Sequence, residues 1–236
     1  MEIGGFEAVS LLDYPGMISS IVFFAGCNMR CPFCHNPDLV LRNRENLKMI
    51  SPSEALKRLS QMSGFIDGVT ITGGEPLLQP GIEDFIRHAK SIGLKVKLDT
   101  NGLSPDRLKR ILSGKMADYV AMDIKAPLED GRYEKAAGMH IPALLSRIRQ
   151  SIDLIRISGV PHEFRTTVAP GIISPLELIA IAQEIKGADA YYIQQFRNKV
   201  TLDPKLHSTP PFPIADLESA CLKIKEMNLV KSCKVR

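Results

Sequence analysis

Three cysteines stand close together in the segment Cys27–Cys34. Their spacing, C-x3-C-x2-C, places three thiolates in one polar loop, and soft ligands of this kind favour iron–sulfur clusters or zinc. A closed zinc or [4Fe–4S] site normally takes four protein ligands. Because only three cysteines are nearby, the sequence predicts a [4Fe–4S] cluster with one iron left open for another molecule.

Two other ligand sets remain open at this point. A structural zinc site would borrow His35 as its fourth ligand. Cys221 and Cys233 are the two remaining cysteines, and they lie far along the chain without the spacing of a metal site. We interpret one of them as a small buried hydrophobic residue and the other as an idle thiol.

The composition narrows the class of protein. The chain has 236 residues, 44% of them hydrophobic, and a formal net charge of +4. Its Lys and Arg residues are spread along the sequence, which indicates a solvated surface rather than a nucleic-acid interface. No signal peptide is visible, and the longest apolar runs are too short to span a membrane. Clustered cysteines of odd total number are typical of a reducing compartment, so we expect a cytoplasmic protein.

Strand-like and helix-like segments alternate from residue 18 almost to the C-terminus. The predicted strands are Ile18–Phe24, Gly68–Thr72, Leu94–Asp99, Tyr119–Ile124, Glu163–Val168 and Tyr191–Phe196. Six β/α units with short connections predict an α/β fold, a partial (β/α)6 barrel of parallel strands in a single domain. We expect residues 1–17 to form an N-terminal extension, residues 18–197 the barrel, and residues 198–236 a flap and a closing helix.

The distinctive residues fall where predicted strands end. The segments concerned are Cys27–Cys34, Gly73–Pro76, Asp99–Gly102, Asp123–Lys125 and, on the fifth strand, Arg165. The carboxyl ends of parallel strands share one face, where active sites are built, so we expect these residues to converge there. At Gly73 and Gly74 the absence of side chains would let the backbone approach a ligand closely.

The cysteine pattern, with Phe33 before its last cysteine, resembles the signature of the radical S-adenosylmethionine (SAM) superfamily. The resemblance implies one [4Fe–4S] cluster on Cys27, Cys31 and Cys34, whose open iron chelates the amino and carboxylate groups of SAM. An electron from the reduced cluster then cleaves SAM to methionine and a 5′-deoxyadenosyl radical. Gly73-Gly74-Glu75-Pro76 is similar to the family's GGEP motif, which implies contacts to the methionine amino group; an ordinary β-to-α turn is the alternative.

The finer resemblance is to glycyl-radical-enzyme activating enzymes, and among them to the longer type of anaerobic ribonucleoside-triphosphate reductase activating protein. The stretches that carry it include Ser10–Gly16, Cys34–Pro37, Lys97–Gly102, Asp118–Pro127 and Glu163–Val168. It implies methionine-carboxylate contacts from Lys125 and Arg165 and an adenine contact from the backbone around Phe33–His35. It also implies a monovalent cation held by Asp99, Thr100, Met122 and Asp123. Some relatives carry a His where this chain has Arg197.

The leading functional prediction is an activase that removes a hydrogen atom from a backbone glycine of a partner glycyl radical enzyme. The resemblance implies anaerobic ribonucleotide reductase as that partner and a low-potential electron donor such as flavodoxin or ferredoxin. A radical SAM enzyme acting on a small molecule, such as a carboxy-deazaguanine synthase, is the second prediction. An iron–sulfur electron carrier or a zinc-binding module is the third. We interpret Asn198–Pro213, rich in proline, as a lid that docks or covers the partner's loop.

Overall fold

The computed structural model describes residues 1–236 and contains eight strands that follow one another in chain order in one sheet. Their bounds are β1 Ile3–Ser10, β2 Ser19–Phe24, β3 Gly68–Gly73, β4 Lys95–Thr100, β5 Tyr119–Asp123, β6 His162–Val168, β7 Ala190–Gln195 and β8 Cys233–Val235. Strand β1 pairs antiparallel with β2. The pairs β2–β3, β3–β4, β6–β7 and β7–β8 are parallel. The predicted α/β class with a parallel sheet is confirmed.

Eight α-helices connect or follow the strands. Their bounds are α1 Pro37–Leu41, α2 Pro52–Met62, α3 Ile82–Ser91, α4 Pro105–Ser113, α5 Arg132–Ala137, α6 Leu144–Ile157, α7 Leu178–Glu184 and α8 Ile214–Glu226. The Ser51 hydroxyl accepts a hydrogen bond from the Glu54 amide and caps α2, as its position before Pro52 predicts. None of the helices combines the length and apolar composition that crossing a membrane requires.

The chain divides into two compact units, each described by itself. The first comprises residues 1–28, 38–100 and 104–120. Its core lies between the inner strands and helices α2 and α3, because the side chains that these elements share are fully buried. Among them are Val22, Phe24, Leu59, Val69, Ile71, Phe85, Ile86, Val96 and Leu98. The rings of Phe24 and Phe85 meet edge to face, 5.7 Å apart, which adds a directional contact to the apolar burial.

The second unit comprises residues 29–37, 101–103 and 121–236. Strands β6, β7 and β8 carry its sheet, and apolar faces of α6, α7 and α8 are buried. The buried side chains include Ile148, Ile152, Ile155, Phe164, Leu178, Ile181, Tyr191, Ile193, Leu217 and Ile224. The Tyr191 hydroxyl donates to Thr166 Oγ1, so the one polar group of this large core side chain is satisfied.

Two strands and two α-helices were not predicted. Residues expected to form only an extension contain β1, the region after the cysteine loop contains α1, and α5 and β8 fall in segments without a predicted element. Each of α1, α5 and β8 has at most six residues, too few to show a hydrophobic period. Strand β1 includes Gly4 and Gly5, which are poor strand formers, and pairing with β2 outweighs that preference. The predicted boundaries at residues 17 and 197, which separate the extension, the barrel and the flap, stay predictions.

Candidate active site

The Gly73–Glu75 turn leaves the end of β3 in the first unit. The Gly74 amide donates to the Phe24 carbonyl and the Glu75 amide to the Gly26 carbonyl, so this turn continues to pair with the chain beyond β2. A Cβ atom at Gly74 would lie 2.1 Å from the Gly26 oxygen, and one at Gly73 would lie 2.3 Å from the Phe24 nitrogen. Glycine is therefore required here by the close approach of two backbones, a cause the sequence reasoning did not identify.

Glu75 places a buried carboxylate directly after these glycines. Its side chain is 1% exposed, and Oε1 accepts hydrogen bonds from the Leu77 amide and from Thr100 Oγ1. The first contact caps the short 3-10 helix Pro76–Leu78, and the second fixes the carboxylate against the end of β4. A carboxylate held in this way suits an ammonium group as its ligand.

Asp99 also lies at the end of β4, within the same unit. Its Oδ1 is paired with the ammonium of Lys97, and its Oδ2 accepts a hydrogen bond from Thr72 Oγ1 at 3.1 Å. The Lys97 side chain is only 2% exposed. Sequence reasoning missed this partner, although two residues of spacing on a strand put both side chains on one face.

The cysteine loop is held at several points. Cys27 lies at the end of the first unit's first segment, directly after Gly26. In the second unit, the Cys34 amide donates to the Cys31 carbonyl, which closes a turn, and the Arg30 amide donates to the Ala137 carbonyl. A Cβ atom at Gly138 would lie 1.9 Å from the Arg30 oxygen. The end of α5 therefore packs directly against the loop backbone, and α5 was absent from the predicted elements.

A positive charge lies near two of the thiols. The Lys125 ammonium interacts electrostatically with both Cys31 and Cys34. Burial raises the pKa of the Cys34 thiol, and the Asn36 amide and the Lys125 ammonium oppose that rise. Thiolates are the forms that bind metal, and a nearby cation stabilises them.

Asp123, at the end of β5, bridges two cationic side chains in the second unit. Its Oδ2 lies 2.8 Å from Lys125 Nζ, and its Oδ1 accepts from Arg165 Nε at 2.8 Å. Burial alone would raise the pKa of Asp123, but these two cations hold it well below its usual range. Because one carboxylate is shared by two cations, the three groups keep a net charge of +1.

The buried carboxylate of Glu163 extends this network of charged side chains. Glu163 on β6 is 1% exposed, and its Oε1 lies 3.9 Å from Arg165 Nη1 and 3.5 Å from Arg236 Nη1. The Arg236 guanidinium also stacks on the Tyr192 ring, 3.4 Å from its centre. Sequence reasoning missed Glu163 as a partner of Arg165 and Arg236 as a second partner of Glu163. The parallel pairing of β8 with β7 is what brings Arg236 there.

His35 is engaged within the second unit. Its ring packs against Phe196 at 6.1 Å between centres, and it hydrogen-bonds the Arg197 backbone carbonyl. Burial lowers the pKa of His35, which favours the neutral ring. The Arg197 side chain is exposed. Its carbonyl accepts the hydrogen bond from His35, and its guanidinium charge opposes protonation of the His35 ring.

Cys221 and Cys233 are both buried, on α8 and β8. They lie beside each other, and burial raises the pKa of Cys233. Both cysteines therefore behave as small buried hydrophobic residues, whereas the sequence suggested this for only one of them.

The proline-rich segment Asn198–Pro213 is held at two points. The Asp203 amide donates to the Pro32 carbonyl in the cysteine loop, and Gln195 Nε2 donates to the Phe212 carbonyl at 2.7 Å. A short 3-10 helix, Pro204–Ser208, lies between these anchors and exposes Lys205 and His207. The segment predicted as irregular thus contains one ordered turn.

The family model of the Radical SAM superfamily matches residues 21–183, more than half of the sequence. The chain belongs to the radical SAM superfamily. Membership implies a [4Fe–4S] cluster and SAM, and the predicted resemblance at family level is confirmed.

Three curated relatives of this radical SAM chain differ in how much they cover. A candidate glycyl-radical enzyme activating enzyme of Methanocaldococcus jannaschii is 32% identical over 88% of the chain and 85% of its own length. The pyruvate formate-lyase-activating enzyme of Clostridium pasteurianum is 39% identical over 55% of the chain and 55% of its own. The 7-carboxy-7-deazaguanine synthase of Methanopyrus kandleri is 31% identical over 48% of the chain and 52% of its own.

The fold is shared with solved structures of low identity. Streptococcus suis SuiB, solved with S-adenosylmethionine, superposes with a TM-score of 0.66 at 15% identity, over 92% of this chain and 51% of SuiB. At that identity the likeness concerns the fold alone.

The residues present suit the two groups that the family implies. Cys31 and Cys34, two soft thiols on one short turn beside the Lys125 ammonium, are ligands appropriate for an iron–sulfur cluster. The buried Glu75 carboxylate is suited to an ammonium group. The cationic surplus on Lys125 and Arg165 is suited to a carboxylate.

Proposed function

We propose that this radical SAM chain is an activase that generates a glycyl radical on a partner enzyme. The observation that carries the proposal is the 32% identity to a candidate activating enzyme over 88% of this chain and 85% of that relative. A match that spans nearly both chains includes the segments outside the shared cluster motif. The partial match to a pyruvate formate-lyase-activating enzyme points to the same class of partner.

The proposed cluster ligands are Cys27, Cys31 and Cys34. The proposed contacts to the methionine part of SAM are the Gly73–Glu75 turn for the amino group and Lys125 with Arg165 for the carboxylate. Three contacts support this assignment: the Thr100 hydroxyl orients Glu75, and Asp123 orients both Lys125 and Arg165. The backbone at Phe33 is the proposed adenine contact, and the burial of that ring fixes the backbone.

When bound, the reduced cluster and SAM would supply a 5′-deoxyadenosyl radical and methionine, with one electron coming from an external donor. That radical would take the hydrogen atom from a glycine Cα of the partner enzyme, which would leave the unpaired electron on the partner's backbone. The chain's own residues bind and orient SAM. His35 takes no proton in this scheme, which agrees with its packed ring and its bond to the Arg197 carbonyl.

Anaerobic ribonucleoside-triphosphate reductase is the proposed partner, with flavodoxin or ferredoxin as the proposed electron donor. The motifs from Lys97–Gly102 and Asp118–Pro127 support this choice within the class. Mixing the chain with that reductase and with pyruvate formate-lyase, under the same reducing conditions, ranks the two partners.

A second candidate is a radical SAM synthase acting on a small molecule. The 31% identity to a 7-carboxy-7-deazaguanine synthase favours it, over about half of each chain. That match leaves much of the chain unaligned, whereas the first relative aligns over 88% of it.

Electron paramagnetic resonance spectroscopy separates the two candidates. Reduced enzyme, SAM and an anaerobic reductase should together give a glycyl doublet on the reductase. The Cys31→Ser variant, under identical conditions, should give none. Formation of 5′-deoxyadenosine with every glycyl radical enzyme tried, and no protein radical in any of them, would favour the small-molecule synthase.

A further inference from the structure

Lys97 is a buried lysine of the first unit. Its side chain is 2% exposed and lies on the same face of β4 as Asp99. Burying an ammonium is costly unless an opposite charge compensates it. The compensating charge is Asp99 Oδ1, which contacts Lys97 Nζ from the same face of the strand.

Asp99 is one of the four residues expected from the family resemblance to hold a monovalent cation. Its Oδ1 already has an ammonium partner, and its Oδ2 accepts from Thr72 Oγ1 at 3.1 Å. An alkali cation at this carboxylate would stand beside the Lys97 ammonium, and two like charges a few ångströms apart in a buried place repel strongly. The donor set and its resident charge do not fit a second cation.

Two other members of the expected cation site, Thr100 and Asp123, are engaged within their own units. The Thr100 hydroxyl donates a hydrogen bond to Glu75 Oε1 in the first unit. In the second unit, Asp123 accepts from both Lys125 and Arg165. Both carboxylates of the expected set, Asp99 and Asp123, are therefore already paired with Lys or Arg side chains of the protein itself.

We propose that Lys97 is the resident cation of this strand end, and that it supplies to Asp99 the positive charge of a bound monovalent cation. The protein accordingly needs neither K⁺ nor Na⁺ there. Lys97 is a positioning residue that acts through Asp99. The inference goes beyond the proposed function and rests on it only where SAM affinity is the readout.

The first test uses the unaltered protein. Its unfolding temperature is measured while KCl or NaCl replaces choline chloride at constant ionic strength, and SAM affinity of the cluster-loaded protein is measured in the same series. We expect no cation-specific change in either quantity. A saturable rise with K⁺ or Na⁺ in either one would overturn the proposal.

The second test removes the ammonium. In Lys97→Met, Asp99 loses the ammonium of Lys97, so K⁺ should take the place of that charge and raise the unfolding temperature by about 2–4 °C or more relative to choline. Lys95→Met is the matched control, because Lys95 is an exposed lysine on the same strand that pairs with Asp118 at 3.7 Å. It should stay indifferent to the cation. The double variant Lys97→Met, Asp99→Asn should also be indifferent, since it removes both charges.

A Lys97→Met protein that folds and ignores K⁺ overturns the proposal. If that variant folds in neither salt, the comparison on the unaltered protein decides alone. Because unfolding is measured without SAM or a partner enzyme, a failure of the activase assignment leaves these results unchanged, and the two failures are distinguishable.

Discussion

Arg165 donates from Nε to Oδ1 of Asp123 over 2.8 Å, and Lys125 approaches the other oxygen of the same carboxylate. The aspartate thus holds two cations together instead of neutralising one. A pair of cations that shares one anion keeps a surplus positive charge, and an incoming carboxylate can complete the balance.

The charges on Lys125 and Arg165 should therefore matter for SAM and not for the cluster. Arg165→Ala should weaken SAM binding by roughly 1.5–3 kcal/mol, about tenfold or more, the cost typical of a lost charge-assisted contact. Isothermal titration of cluster-loaded protein measures it. Arg156→Ala, an exposed arginine on α6, is the control and should bind SAM normally. Normal affinity in both Arg165→Ala and Lys125→Ala would remove these residues from the site.

Removing the shared anion should destabilise the fold. Asp123→Asn removes the carboxylate that Lys125 and Arg165 share. Because the three side chains are only partly buried, the cost should lie between about 1 kcal/mol, as for an exposed pair, and about 3–5 kcal/mol, as for a fully buried one. Urea unfolding, followed by circular dichroism, gives the free energy of unfolding. Asp153→Asn, whose carboxylate pairs only weakly with Arg156 at 3.8 Å, serves as the control and should change little.

The ion pairs of Asp123 with Arg165 and Lys125 also predict how the stability of the fold depends on pH. The pKa of Asp123 is lowered in the folded protein by Arg165 and Lys125 against the opposing effect of burial. A lowered folded-state pKa gives stability that is present above the unfolded pKa, about 3.9, and is lost as pH falls below it toward the folded value. Unfolding curves from neutral pH into strong acid should show the native protein losing more stability than Asp123→Asn. Parallel curves for the two proteins would contradict the assignment.

Only three of the five cysteines should bind iron. Reconstituted protein should hold about four irons per chain, and serine at Cys27, Cys31 or Cys34 should abolish the absorbance of the cluster. Alanine at Cys221 or Cys233, which are buried in the core, should keep the iron content while lowering stability. If iron binding is lost when either core cysteine is replaced, the cluster has a fourth cysteine ligand and no open iron.

Backbone packing at the Gly73–Glu75 turn can be tested with one methyl group. Gly74→Ala places a carbon 2.1 Å from the Gly26 oxygen, which forces a shift and should cost about 1–3 kcal/mol. Gly64→Ala meets nothing within 4 Å and should stay within about 0.5 kcal/mol of the original protein. Thermal unfolding of both variants distinguishes backbone crowding from a general intolerance of alanine. Equal stability would show that the turn relaxes freely.

The 3-10 helix Pro204–Ser208 should serve the partner more than SAM. Replacing it with a glycine–serine segment of equal length leaves the Asp203 and Gln195 anchors in place. Glycyl-radical yield on the reductase should fall several-fold, while 5′-deoxyadenosine formed without the partner should stay unchanged. A parallel fall in both quantities would mean that the segment supports SAM binding instead.

The α/β class and the six predicted strands could be read from the sequence because they depend on local signals. Apolar runs of strand length are one example, and Ser51 before Pro52, which caps α2, is another. The cysteine spacing and the GGEP motif are likewise local, and together they indicated the radical SAM superfamily that the family match confirms.

Pairing across distant segments was decided by the tertiary structure alone. Strand β8 lies beside β7, and only that placement brings Arg236 to Glu163 and so to Arg165. The Cβ atoms missing at Gly73 and Gly74 make room for the Phe24–Gly26 backbone, a contact that no pattern within the motif reveals. Lys97 looks in sequence like one of many surface lysines. Its burial beside Asp99 follows from the packing of β4, because a side chain's surroundings depend on residues far away in the chain.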